Sequence, residues 1–101
     1  MIPADVVTLI DVTYTEDAIG QRVPTETYTE IFAEIRSVTQ NEWFNAGKIG
    51  LKPSFTVVTP FMNYDGQKEL LYKGRRYTIY RSFLREAVDT VELYCEEKVG
   101  S

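Results

Sequence analysis

The pattern of hydrophobic and polar residues in the first third of the chain, Val6 to Val38, predicts a long β-hairpin. Val6–Thr13 is rich in β-branched residues and has no helical period, which is typical of a β-strand. Asp17, Gly20 and Pro24 indicate a turn or mobile loop over residues 15–24. A second strand is then predicted from about Thr27 to Val38. Its two faces carry Ile31, Ala33, Ile35 and Ser37 on one side, and Phe32, Glu34, Arg36 and Val38 on the other.

The period changes after this hairpin, where a short helix is predicted. Thr39-Gln40-Asn41-Glu42 matches a capping box, in which the Thr39 hydroxyl accepts from the Glu42 N–H and the Glu42 carboxylate reaches back. The predicted helix has about two turns and stops at Gly47. Pro53 then requires an extended exit, because the residue before a proline avoids the helical region.

The second half of the chain is predicted to be β again, in four strands. They cover Phe55–Thr59, Glu69–Tyr72, Arg76–Phe83 and Val88–Glu96, and a tight turn at residues 73–75 joins the middle two. In the third of these strands Tyr77, Ile79, Arg81 and Phe83 are expected to share one face. In the last strand Val91, Leu93 and Cys95 are expected to face inward, and Glu92, Tyr94 and Glu96 outward.

Together these elements predict one mainly β domain spanning residues 1–101. About six mostly antiparallel strands on so short a chain favour a small barrel, because closure removes exposed edges. The short helix would lie in the loop between strands 2 and 3.

Composition excludes several classes of chemistry. The chain has 101 residues, no histidine and a single cysteine, Cys95, so histidine catalysis, zinc fingers and an intrachain disulfide are all excluded. No phosphate-binding loop or nucleophile elbow is present. We therefore expect no enzyme, no cofactor and no metal site. The N-terminus lacks the features of a signal peptide, and no apolar run approaches the roughly 20 residues that span a bilayer, so we expect a cytoplasmic site of assembly.

Charge is unevenly distributed along the chain. The net charge is −4, yet residues 68–85 carry six basic side chains and one acidic one, whereas residues 1–34 carry seven acidic side chains and one basic one. The basic segment could form ion pairs within its own sheet, contact the acidic face of a neighbouring copy, or contact DNA phosphates. The candidate residues for a subunit or DNA contact are Lys73, Arg75, Arg76 and Arg81.

Two aromatic groups also allow more than one interpretation. Tyr72, Tyr77, Tyr80 and Tyr94 could form a base-stacking platform, but cross-strand aromatic pairs are also ordinary stabilisers of a sheet. Trp43 and Phe44 could anchor a partner protein, or they could plug one end of a small barrel. We favour the structural interpretation in both cases.

The middle of the chain resembles a known viral family. Ser37-Val38-Thr39, Glu42-Trp43-Phe44, Ala46-Gly47 and Gly50-Leu51-Lys52-Pro53 resemble, in this order and spacing, the head–tail joining proteins of long-tailed phages and prophages. These are the small head-closure, or stopper, proteins. The second half of the chain also resembles this family, with similar residues at Tyr64, Tyr72, Gly74, Tyr77-Thr78-Ile79-Tyr80-Arg81 and Glu92-Leu93-Tyr94.

The resemblance implies a structural role in the virion, at the interface of head and tail. Such proteins form a ring under the portal and adaptor proteins after packaging, close the channel around the packaged DNA, and present a docking surface to tail proteins. They are assembled in the bacterial host cytoplasm, as monomers when free and dodecamers when docked. The family's small β-barrel carries a long loop that can reach the channel axis, here Thr39–Pro53. Its candidate closing residues are Asn41, Glu42, Trp43, Phe44, Gly47, Lys48, Gly50 and Lys52.

Two other functions stay open on the sequence. One is a tail-terminator or tail-completion protein of the same virion. The other is an oligonucleotide-binding barrel that uses the tyrosines and the basic segment 68–85 to bind single-stranded nucleic acid.

Overall fold

Six antiparallel strands and one short α-helix make up the fold in the computed structural model, which describes residues 5–98. The elements, in chain order, are β1 (Asp5–Glu16), β2 (Arg22–Arg36), α1 (Gln40–Gly47), β3 (Pro53–Pro60), β4 (Glu69–Tyr72), β5 (Arg75–Arg85) and β6 (Thr90–Glu97). One-turn 3₁₀ helices cover Phe61–Asn63 and Glu86–Val88. The prediction about a signal peptide falls largely on residues 1–4, outside the described residues.

The strands form one sheet that closes on itself in the order β1-β2-β3-β6-β5-β4. Closure occurs where β4 pairs antiparallel with β1, with Leu9 opposite Leu70. The predicted mainly β fold, with six antiparallel strands and a helix between strands 2 and 3, is confirmed. No helix among residues 5–98 is long and apolar enough to cross a membrane.

Aliphatic side chains from every strand fill the interior of the closed sheet. Leu9, Leu70, Val57 and Leu93 are fully buried, and the register places Leu9 opposite Leu70 and Val57 opposite Leu93. Burying each such side chain contributes about 1.5–3 kcal/mol. Val91, Leu93 and Cys95, which alternation predicted to face inward, are buried. On β2, Ile31 and Ala33 are also buried.

A bulge in β5 breaks the predicted alternation of that strand. Ile79 lies opposite Cys95 and Arg81 lies opposite Tyr94, so Tyr80 is an extra residue on β5. The prediction that Arg81 shares a face with Ile79 is therefore wrong. Because one residue is inserted, Arg81 and Phe83 lie on the outer face, where Phe83 is opposite Glu92.

The hairpin of β1 and β2 extends beyond the rest of the sheet. These strands pair from Asp5 and Ala33 as far as Glu16 and Arg22. β4 pairs with β1 only as far as Ile10, and β3 pairs with β2 only over residues 34–36. Residues 11–30, here called the arm, therefore project as a two-stranded ribbon. This agrees with molecular extents of 49 × 30 × 25 Å.

The turn at the tip of the arm is shorter than predicted. The loop expected over residues 15–24 is limited to residues 17–21, because the Asp17 carboxylate accepts hydrogen bonds from the backbone N–H groups of Ile19 (3.0 Å) and Gln21 (2.9 Å). Gly20 supplies a φ of +83°, which side-chain-bearing residues rarely adopt. The strands can therefore run almost to the tip.

Candidate functional site

The helix between β2 and β3 begins with the predicted cap but uses its glutamate differently. The Thr39 hydroxyl accepts from the Glu42 N–H at 3.1 Å, as expected for the first half of a capping box. The Glu42 carboxylate accepts from the Tyr80 hydroxyl at 2.7 Å and forms an ion pair with Arg81. The predicted return of Glu42 to the start of its own helix is therefore wrong. The bulge at Tyr80 supplies these two tertiary donors, and one of them is charged.

This contact attaches the first turn of α1 to the outer face of β5. The Glu42 side chain is 12% exposed. The pKa of the Tyr80 hydroxyl is raised, first by its burial and then by its hydrogen bond to Glu42. Burial alone would lower the pKa of Arg81, but the hydrogen bond and charge of Glu42 raise it overall. Arg81 also lies 4.0 Å from the centre of the Tyr94 ring, a cation–π arrangement.

The remainder of the segment returns to the barrel through backbone contacts. Ala46 is buried, and its carbonyl accepts from the Leu51 N–H at 3.0 Å. Gly50, with a φ of +83°, allows this reversal. The Lys52 N–H then donates to the Glu96 carboxylate at 3.0 Å. In this conformation the predicted closing loop is a folded segment that is held at both ends.

Large apolar side chains of this segment point into solvent. Trp43, Phe44 and Ile49 are 56%, 64% and 75% exposed. Glu42 and Ala46, four residues apart, lie on the helix face that meets the barrel, so Trp43 and Phe44 point elsewhere. The prediction that Trp43 and Phe44 plug the barrel is wrong. The other candidate residues of the segment are also exposed: Asn41, Gly47, Lys48, Gly50 and Lys52.

The basic segment is largely neutralised within the chain. Arg75 pairs with Glu97 at 3.2 Å, and Arg76 bridges Glu26 (2.5 Å) and Glu69 (2.6 Å). Arg85 similarly pairs with Glu92, and Lys98 with Glu69. These contacts match the first of the three interpretations, ion pairing within the molecule.

The four candidate contact residues do not form one patch. Arg75 and Arg76 lie beside the two-residue turn between β4 and β5, whereas Arg81 belongs to the α1 contact. Lys73 is in that turn with a φ of +51°, and its ammonium lies 5.3 Å from the centre of the Tyr72 ring. Among residues 5–98, Lys73 forms no ion pair.

The tyrosines stabilise the sheet rather than forming an exposed platform. Tyr72 and Tyr77 are partly buried and meet Phe55 edge-on, with ring centres 5.3 and 4.5 Å from it. Tyr80 and Tyr94 lie 6.4 Å apart on the outer face, where their hydroxyls donate to Glu42 and Glu92. These contacts support the structural interpretation of the tyrosine set.

The described part of the chain contains no cluster of three or more histidine, cysteine or acidic side chains that could hold a metal ion. Cys95 is buried in the core, and desolvation raises the pKa of its thiol to about 12. This thiol is therefore protonated near neutral pH, which opposes metal binding and nucleophilic attack.

The arm is the surface that the sequence reasoning did not identify. Nearly all of its side chains are exposed, which is unusual for a β-hairpin. The available signal was the lack of aliphatic alternation after Val12, where one face instead carries Thr13, Thr15, Thr25, Thr27 and Thr29. Threonine favours strands without needing burial in a core, so the pattern is compatible with a solvated ribbon.

Comparisons with known proteins identify a similar fold but no matching sequence family. No protein-family model matches the chain. No curated protein sequence matches it either. The fold is similar to the solution structure of protein SF1141 from Shigella flexneri 2a, with a TM-score of 0.77 and 16% sequence identity over 97% of this chain and 95% of that chain. At that identity the likeness establishes the architecture alone.

Proposed function

We propose that the protein is a head-closure, or stopper, protein of a long-tailed phage or prophage. In this role it forms a ring under the portal and adaptor proteins, closes the DNA exit channel and offers a docking surface to the tail. The main support for this proposal is the geometry of the β2–β3 segment. It is attached to the barrel at its ends and directs Trp43, Phe44 and Ile49 into solvent.

Exposed apolar groups of this size favour contact with another protein surface. Aromatic residues are enriched among the side chains that dominate binding energy at protein interfaces. In a ring, each contact is repeated by symmetry, so a modest surface on each copy can hold the assembly together. The segment could then move toward the axis by releasing the Glu42 contact, which is a hinge-like change.

The charge of the molecule is compatible with a channel wall. The net charge is −4, and four of the arginines in segment 68–85 are already paired with carboxylates, so the surface attracts DNA weakly. Weak, non-specific contact would let packaged DNA slide past the wall. The expected partners are adaptor and portal proteins on one side and tail proteins on the other, at the head–tail interface of the virion.

Single-strand binding is less well supported than head closure. The tyrosines that would stack on bases either contact Phe55 or donate to carboxylates.

The assembly intermediate that contains the protein distinguishes a tail terminator from a stopper. Filled heads would contain a stopper, whereas free tails would contain a terminator.

The test is genetic removal of the protein from a producing phage, followed by measurement of DNA retained in purified heads. We expect heads to lose DNA without it and to recover on complementation. The double variant Trp43→Ser/Phe44→Ser should fail to complement, whereas Phe61→Ser/Met62→Ser, which also changes two exposed apolar residues, should complement. Heads that keep their DNA and join tails without the protein would refute the proposal.

A further inference from the structure

The arm has free strand edges that the rest of the fold does not cover. The Thr59 hydroxyl donates to the Phe32 carbonyl at 2.9 Å, beyond the last β2–β3 pair, and β3 then ends at Pro60. From there to the arm tip, the outer edge of β2 faces no strand of the described chain. Pro24 lacks a backbone donor and interrupts that edge, so the usable length is residues 25–32.

One face of the arm is acidic and aromatic. The register places Glu16, Tyr14, Glu26, Tyr28 and Glu30 on this face, because they alternate with the threonines of the opposite face. The whole arm carries five acidic side chains and one basic one, for a net charge of −4. It is therefore the most concentrated negative feature that projects from the molecule.

The chain's own arginines show which groups this face accepts. Arg76 donates to Glu26 at 2.5 Å, and the Arg22 guanidinium lies 4.5 Å from the centre of the Tyr14 ring. Within residues 5–98, Glu16 and Glu30 form no ion pair. Cationic side chains can therefore still be accommodated on the same face by carboxylates and tyrosine rings.

Charge argues against a second arm as the occupant of this edge. Two arms that paired along β2 would bring together two ribbons that each carry −4, and like charges opposite one another destabilise a sheet. Within residues 5–98, two other edges lack a strand partner, β1 beyond Ile10 and β5 beyond Thr78, but each is shorter than residues 25–32. The first belongs to the same acidic arm, and the second is interrupted by the bulge at Tyr80. The complementary occupant is therefore a different chain with positive charge.

We propose that the arm binds an extended, basic strand of a partner protein by adding it to the β2 edge at residues 25–32. Backbone hydrogen bonds supply much of the affinity in such strand addition, and alternate side chains supply specificity. Lysine or arginine at every second position would lie opposite Glu26, Tyr28 and Glu30, with β-branched residues opposite the threonines. This inference goes beyond head closure and does not depend on α1.

The test uses an eight-residue peptide of alternating lysine and threonine as the probe, with amide resonances of the ¹⁵N-labelled full chain as the readout. We expect shifts and increased amide protection confined to the arm, centred on residues 25–32. Glu30→Lys should weaken binding about fivefold, whereas Glu86→Lys, the same charge change at another exposed glutamate, should leave it within about twofold. Unchanged melting temperatures of both variants would verify that each remains folded.

Several outcomes would overturn the proposal. Equal binding of a glutamate–threonine peptide would show that charge does not select the occupant. Shifts centred on α1, or equal weakening by both variants, would show that the arm is not the site. Sedimentation that reveals a dimer of the free protein, displaced by the lysine–threonine peptide, would make a second copy the occupant instead.

Discussion

At the scale of single residues, Glu42 determines which face of α1 is turned toward the barrel. Its backbone N–H completes the local cap on Thr39, while its carboxylate leaves the helix for Tyr80 and Arg81. The local half of this arrangement could be predicted from four consecutive residues. The other half could not, because both donors lie about forty positions away in sequence, beside a bulge whose register depends on β6.

Replacing Glu42 with glutamine should loosen α1 without unfolding the barrel. The glutamine side chain keeps an acceptor for Tyr80 but leaves Arg81 without its charged partner, and we expect a loss of about 1 kcal/mol. Amide hydrogen exchange over residues 42–48 should become several-fold faster, with β6 unchanged. Glu86→Gln, at an exposed glutamate, is the matched control. Equal exchange in Glu42→Gln and the wild type would mean that backbone contacts alone hold the helix.

Cys95 should be unreactive in the folded protein. Its thiol is buried in the core and its pKa is raised to about 12, so little thiolate exists at a mildly alkaline pH of about 8 and reagents cannot reach it. We expect no reaction with a disulfide reagent until denaturant is added, and then one equivalent per chain. Ser37→Cys, at an exposed position, serves as the control and should react at once while folded. Rapid labelling of the folded wild type would show that the core opens readily.

At the scale of elements, positions that depend on near neighbours were predictable and those set by distant strands were not. The β-branched runs located the strands, and Thr39 located the start of α1. The exposure of Trp43 and Phe44 could not be predicted, since a two-turn helix can turn either face inward and a tertiary contact at Glu42 decides which. The arm was missed for the same reason, because it exists where β3 and β4 stop pairing.

At the scale of the whole molecule, the uneven charge of the sequence is resolved by folding. The basic segment 68–85 meets acidic side chains from both halves of the chain across the closed sheet, where Arg76 pairs with Glu26 and Arg75 with Glu97. The sequence showed the imbalance but not which side chains would meet, since that depends on the strand order. The acidic arm, by contrast, keeps Glu16 and Glu30 without an ion pair among residues 5–98.

These ion pairs lower the pKa values of several carboxyl groups. For Glu26 and Glu34, hydrogen bonds from arginine are the largest cause. For Glu69 and Glu92, burial alone would raise the pKa, but the hydrogen bonds and charges of neighbouring groups outweigh burial and lower it. Each of these groups therefore binds a proton more weakly in the folded chain than in the unfolded chain.

Stability should consequently fall in acid, as these carboxyl groups become protonated. A carboxyl whose pKa is lower when folded contributes fully above its unfolded value of about 4.5, and that contribution disappears as the pH drops through the folded value. We expect a nearly constant melting temperature between about pH 5 and 8 and a steep decline below about pH 4.5. Glu69→Gln/Glu92→Gln should melt lower at neutral pH and show a shallower acid decline, measured by circular dichroism, because two of the titrating groups are gone. The control Glu86→Gln should follow the wild-type curve, and an acid decline as steep in the double variant would mean that other groups govern acid unfolding.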